Sequence, residues 1–133
     1  MKKFVIMFAT LLAISTTSLA NDVTFKNSSL KERYTITATS ERMANCLRLT
    51  DRQSYWTNLY WANFKINMLK AYKYNNEEYV PYAVRFNLKC MKNILTKKQY
   101  EVYRKIMIAT LINNKFIENE EKVPETFDFL ENL

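Results

Sequence analysis

The chain has 133 residues, 20 Lys and Arg against 13 Asp and Glu, two Pro, two Cys, and neither Gly nor His. Without glycine there is no P-loop, dinucleotide fingerprint or nucleophile elbow, because each needs backbone that turns sharply or approaches a phosphate closely. Without histidine there is no Ser-His-Asp or Cys-His pair and no His-ligated zinc. A small, basic, helix-rich binding protein is what composition leaves, with no enzymatic activity, resident metal or cofactor expected.

The first elements in the chain are a leader and an arm. Met1-Lys2-Lys3 is a short positive segment, Phe4 to Ile14 is apolar except for Thr10, and Ser18 and Ala20 stand at −3 and −1 of a cleavage site before Asn21. This is the tripartite pattern of a secretory signal peptide over residues 1–20. The apolar run is too short to span a bilayer, which needs about 20 residues. No stable membrane insertion is therefore expected after cleavage, and an exported, periplasmic location is. Residues 21–39 are polar and rich in Ser and Thr, without a sustained period, and read as a loosely ordered arm.

Residues 40–117 read as the helical domain. A short helix covers Glu41 to Leu47 behind Ser40, and the longest spans Thr50 to Tyr74, where Tyr55, Leu59, Ala62, Ile66 and Leu69 make one apolar stripe expected to face the core. Asn76 can cap a third helix that contains Pro81 and carries Val80, Val84, Leu88, Met91 and Leu95 at helical spacing. A fourth runs from Thr96 to about Asn114. Residues 118–133 then turn acidic, giving this tail −5 against +10 for residues 21–117. In an oxidising compartment Cys46 and Cys90 are expected to form a disulfide, with two buried free thiols as the alternative.

One local pattern occurs twice, as Leu49-Thr50-Asp51-Arg52-Gln53 and Leu95-Thr96-Lys97-Lys98-Gln99. Both copies stand where a helix should begin. The Thr can accept a hydrogen bond from the backbone N–H three residues on, while the Gln reaches back to the Thr N–H. The pair, with the lead-in Glu41-Arg42-Met43-Ala44 and the aromatics Tyr100 and Tyr103, resembles the Spy/CpxP family of periplasmic LTxxQ proteins from about Glu41 to Met107. The resemblance implies an all-α, four-helix fold of long antiparallel helices shaped as a cradle, and a homodimer. It implies an ATP-independent chaperone that shields unfolded envelope proteins, or an accessory of an envelope-stress sensor.

On the long helix a second row, Trp56, Tyr60, Phe64, Met68 and Tyr72, falls at four-residue intervals with Lys65, Lys70 and Lys73 among it. Rings and thioethers adapt to many apolar shapes and lysines attract acidic segments, so this row is the candidate client-binding face. Both rows could equally be core or dimer interface, since periodicity does not say what covers a stripe. No nucleic-acid partner is expected, because the cations are scattered and export argues against one. The alternative function is a regulatory module that docks on one sensor or other single protein.

Overall fold

The computed structural model describes residues 26–133, and side-chain exposure from Leu30 onward. Among the described residues every regular element is helical: α1 (Lys26–Arg33), α2 (Ser40–Leu47), α3 (Asp51–Lys73), α4 (Tyr79–Ile94), α5 (Lys97–Asn113), a 3₁₀ turn at Glu125–Phe127, and the single-turn α6 (Phe129–Asn132). The protein is all-α. None of these helices is long and apolar enough to cross a membrane.

The helix starts follow local chemistry. Thr50 and Thr96 are the N-caps of α3 and α5, each within a complete capping box. The amide N–H of Gln53 donates to Thr50 Oγ1 at 3.1 Å and that of Thr50 to Gln53 Oε1 at 3.0 Å. At α5 the two bonds are 3.1 Å and 2.9 Å. The start of α4 differs from expectation. Asn76 Oδ1 accepts from the Glu78 N–H at 3.1 Å in a turn that precedes the helix, so Glu77 and Glu78 lie outside its first turn. Pro81 is the third residue of α4, where it interrupts no helical hydrogen bond.

With no glycine in the chain, left-handed turns fall to other residues. Arg48, Asn75 and Lys115, with φ of 54°, 50° and 64°, follow α2, α3 and α5. The backbone N–H groups just beyond them, of Leu49, Asn76 and Phe116, return to Ala44, Ala71 and Leu111 carbonyls at 2.8–3.0 Å. These turns satisfy end carbonyls that would otherwise lack donors.

One apolar core runs from Tyr34 to Leu130. Its largest fully buried side chains include Trp61, Tyr103, Phe64, Met43 and Met68. The buried Tyr103 hydroxyl donates to Asn87 Oδ1, and Asn87 Nδ2 donates to the Tyr60 carbonyl at 3.3 Å, which pairs the polar atoms of these two side chains between α4 and α5. Burial pushes the Tyr103 phenol well above its ordinary value and keeps it protonated.

Two segments depart from the sequence reading. Residues 26–39 are not a loose arm. After α1 the chain extends with Tyr34, Ile36 and Ala38 buried and Thr35 and Thr37 exposed, an alternation of period two. Trp61 Nε1 donates to the Ala38 carbonyl at 2.7 Å and ties this strand-like segment to α3. At its start Arg33 pairs with Glu77 at 2.5 Å and lies over the Phe116 ring at 4.3 Å. The acidic tail also packs: Phe127 and Leu130 enter the core, and Arg104 Nη1 donates to the Leu130 carbonyl at 2.7 Å. Residues 1–25, which include the leader and the start of the arm, lie outside the described residues.

The expected Cys46–Cys90 disulfide is absent, and both thiols are free. Met43 and Leu47 occupy the inward face of α2, which leaves Cys46 on its exposed face, while Cys90 is half-buried on α4. Partial desolvation raises both thiols above their usual pKa. Alkylation of the folded, unreduced protein should therefore add two labels, Cys46 before Cys90. A product that takes label only after reduction would restore the disulfide.

Candidate functional site

The 23 residues of α3 present two apolar rows on opposite faces. Thr57, Trp61, Phe64, Met68 and Ala71 are buried. Tyr55, Leu59, Ala62, Ile66 and Leu69 point outward, with Ile66 54% and Tyr55 61% exposed. Both rows advance by alternating steps of four and three residues, so both satisfy the same helical period. The row that spacing assigns to the core is therefore the exposed one.

The candidate client row divides. Phe64 and Met68, at 1% and 0% exposure, are core, and Phe64 lies against Trp61 with ring centroids 5.1 Å apart. They are not available to a client. Tyr72 is half-buried beside Tyr34. Trp56 remains exposed and stacks on the half-buried Tyr60 at 5.9 Å and 25°. Lys70 and Lys73 are exposed and Lys65 is half-buried.

A surface that sequence reasoning missed lies on α4. Tyr82 and Phe86, one turn apart and both exposed, stack at 6.5 Å with ring planes 10° apart. The signal was their four-residue spacing, which the stronger buried row of α4 obscured. Arg85 and Lys89 stand exposed beside them. Among the described residues none of Lys65, Lys70, Arg85 and Lys89 is held in an ion pair. These cations are free to meet carboxylates from outside. Beside Tyr82, a shallow cleft lined by Pro81, Arg85, Asp128 and Phe129 separates the start of α4 from the tail.

The two Leu-Thr-x-x-Gln motifs meet. Gln53 Nε2 donates to Gln99 Oε1 at 2.8 Å and to the Ile94 carbonyl at 3.0 Å. Gln99 Nε2 returns bonds to Gln53 Oε1 and the Leu47 carbonyl, both at 3.2 Å. Each amide thus closes its own cap with its oxygen and clasps the other motif with its nitrogen. Leu95 and Tyr100 are buried and Leu49 packs partly beside them. The chemistry of this cluster is architectural: it holds the starts of α3 and α5 together.

Among the described residues there is no group of three or more His, Cys, Asp and Glu able to hold a metal ion. The accessible apolar surface of α3 and α4 is the feature with binding chemistry. No protein-family model, curated protein or solved structure matches the chain.

Proposed function

We propose that the protein is an ATP-independent holdase-type chaperone that shields apolar segments of unfolded envelope proteins. The observation that carries this reading is the exposure of large apolar side chains on two helices, Tyr55, Trp56, Leu59, Ile66 and Leu69 on α3 and Tyr82 and Phe86 on α4. Large apolar patches on soluble proteins mark interaction sites. Unpaired cations beside this one favour acidic flanks on the segment held, without imposing a sequence. The leader pattern and the paired motifs resembling LTxxQ proteins support the same reading and suggest the envelope as its place.

The test is suppression of aggregation of two unrelated unfolding substrates, without nucleotide, at low and moderate salt. Both should be protected, with part of the protection lost as salt rises. Leu59→Ser with Ile66→Ser should weaken protection of both while leaving helicity unchanged. If the native protein protects neither substrate, the holdase reading falls. A second reading is a docking module for one helical partner, favoured by the regular four–three spacing of the outer row. It predicts one ligand of fixed stoichiometry and no general protection.

A further inference from the structure

The tail is held lightly for a segment that enters the core. Phe127 and Leu130, 4% and 1% exposed, stand three residues apart and so share one side of the chain. Arg104 on α5 adds the hydrogen bond from Nη1 to the Leu130 carbonyl at 2.7 Å. The acidic side chains add no tie to the body. Glu125, Asp128 and Glu131 are exposed, and none forms an ion pair among the described residues. The 3₁₀ turn has three residues and α6 has four, too few to stand without a surface beneath them. From Glu118 to Thr126 no side chain is buried, so the tail can lift without drawing on α5.

The surface beneath the tail continues into open surface. The cleft beside it is about 500 Å³, within the range of ligand sites, with Pro81, Tyr82 and Arg85 of α4 on one side and Asp128 and Phe129 on the other. Tyr82 leads on to Phe86 along the exposed face of α4. Arg85 and Asp128 border this cleft without an ion pair, which leaves the Arg85 guanidinium for another carboxylate. A cationic, ring-lined seat on α4 and α5 thus already holds one segment of this chain. That segment shows what fits: two apolar side chains at i and i+3, set among carboxylates.

We propose that this seat is a binding site for acidic segments of other proteins that carry such an apolar pair, with the tail as its resident occupant. An incoming segment replaces Phe127 and Leu130, takes the Arg104 bond through a main-chain carbonyl and sets a carboxylate against Arg85. Its neighbouring apolar residues then reach Tyr82 and Phe86. The tail, tethered at the buried Ile117, competes at an effective concentration on the order of 1 mM, so short chance matches are turned away. That unfolded clients supply the captured segments rests on the holdase reading; the exchangeable seat does not.

The probe is a fluorescein-labelled peptide of residues 124–133, titrated against the full chain carrying Cys46→Ser, Cys90→Ser, Pro81→Cys and Asn132→Cys. Pro81 and Asn132 border the same cleft, so a bismaleimide joining the new thiols locks the tail down, while N-ethylmaleimide caps them and leaves it free. The capped chain should bind the peptide at least tenfold more tightly than the locked chain. Peptide with Phe127→Ser and Leu130→Ser should bind neither form. Peptide with Glu125→Lys, Asp128→Lys and Glu131→Lys should bind the capped chain several-fold more weakly. Equal affinity of capped and locked chains, or no binding by either, overturns the seat; equal affinity of acidic and lysine peptides overturns the preference for acidic segments. In the unmodified chain, the bonded amides of Phe127 and Leu133 should exchange hydrogen at least tenfold faster than those within α4 and α5. Equal exchange makes the tail a fixed part of the core and overturns its displacement. With unfolding substrates the capped chain should protect several-fold more than the locked one. Equal protection overturns the use of the seat by clients, whereas protection by neither removes the holdase reading and leaves the seat standing.

Discussion

Phe64→Ala is expected to lower the free energy of unfolding by about 3–5 kcal/mol, the usual range for emptying a buried aromatic site. Ile66→Ser, two residues along the same helix, should change it by no more than about 0.5 kcal/mol, as at other exposed positions. Phe64 is 1% exposed and packs on Trp61, which in turn anchors the Ala38 carbonyl. Truncating it removes contacts from α3 and loosens the ring that holds the N-terminal extended segment. Urea titration of the two variants decides the matter. Comparable losses would mean that α3 is rotated from the orientation described, and a costly Ile66→Ser with a neutral Phe64→Ala would reverse its faces outright.

The second large effect belongs to the paired glutamines. Gln53→Ala and Gln99→Ala should each cost about 2 kcal/mol, more than the ~1 kcal/mol of an ordinary cap, because each removal leaves half-buried polar partners without a bond. Loss of Gln99 deprives the Thr96 N–H, the Leu47 carbonyl and both polar ends of the Gln53 amide. Since the second substitution then removes bonds already broken, the double variant should fall short of the summed single losses by about 1 kcal/mol. Additive losses in a double-mutant cycle would show that the two caps act separately.

These contrasts mark what can be read from the chain alone. Capping is local: Thr50, Gln53, Thr96 and Gln99 interact within four residues, and their spacing is visible without the fold. The lengths of α3 and α5 follow from those caps and from the turns after Lys73 and Asn113. That the two caps join each other is not visible, because the Gln53–Gln99 contact spans 46 residues. The facing of α3 failed for another reason. Its two rows have equal spacing, and the buried one contains Thr57, which weakens its apolar signal. Burial there is decided by α2 and α4, which pack on α3 and carry the buried Met43, Val84, Leu88 and Met91.

The arm and the tail were hidden by composition. Tyr34, Ile36 and Ala38 alternate with threonines, a two-residue period too brief to stand out in a helix-rich chain. The tail's charge masked Phe127 and Leu130, whose burial depends on a surface assembled by α4 and α5. The exposed α3 surface was legible as apolar residues at helical spacing. Its freedom from any neighbour was not, since exposure belongs to the folded whole.

The clasp is built from two neutral side-chain amides, two threonine hydroxyls and main-chain groups. It contains nothing that titrates and no net charge for counterions to screen. An outside medium that drifts in salinity can therefore screen the lysine-rimmed surface of α3 while the joint that sets the helices' positions stays as it is. Sensitivity to surroundings and permanence of shape reside in different parts of the same long helix.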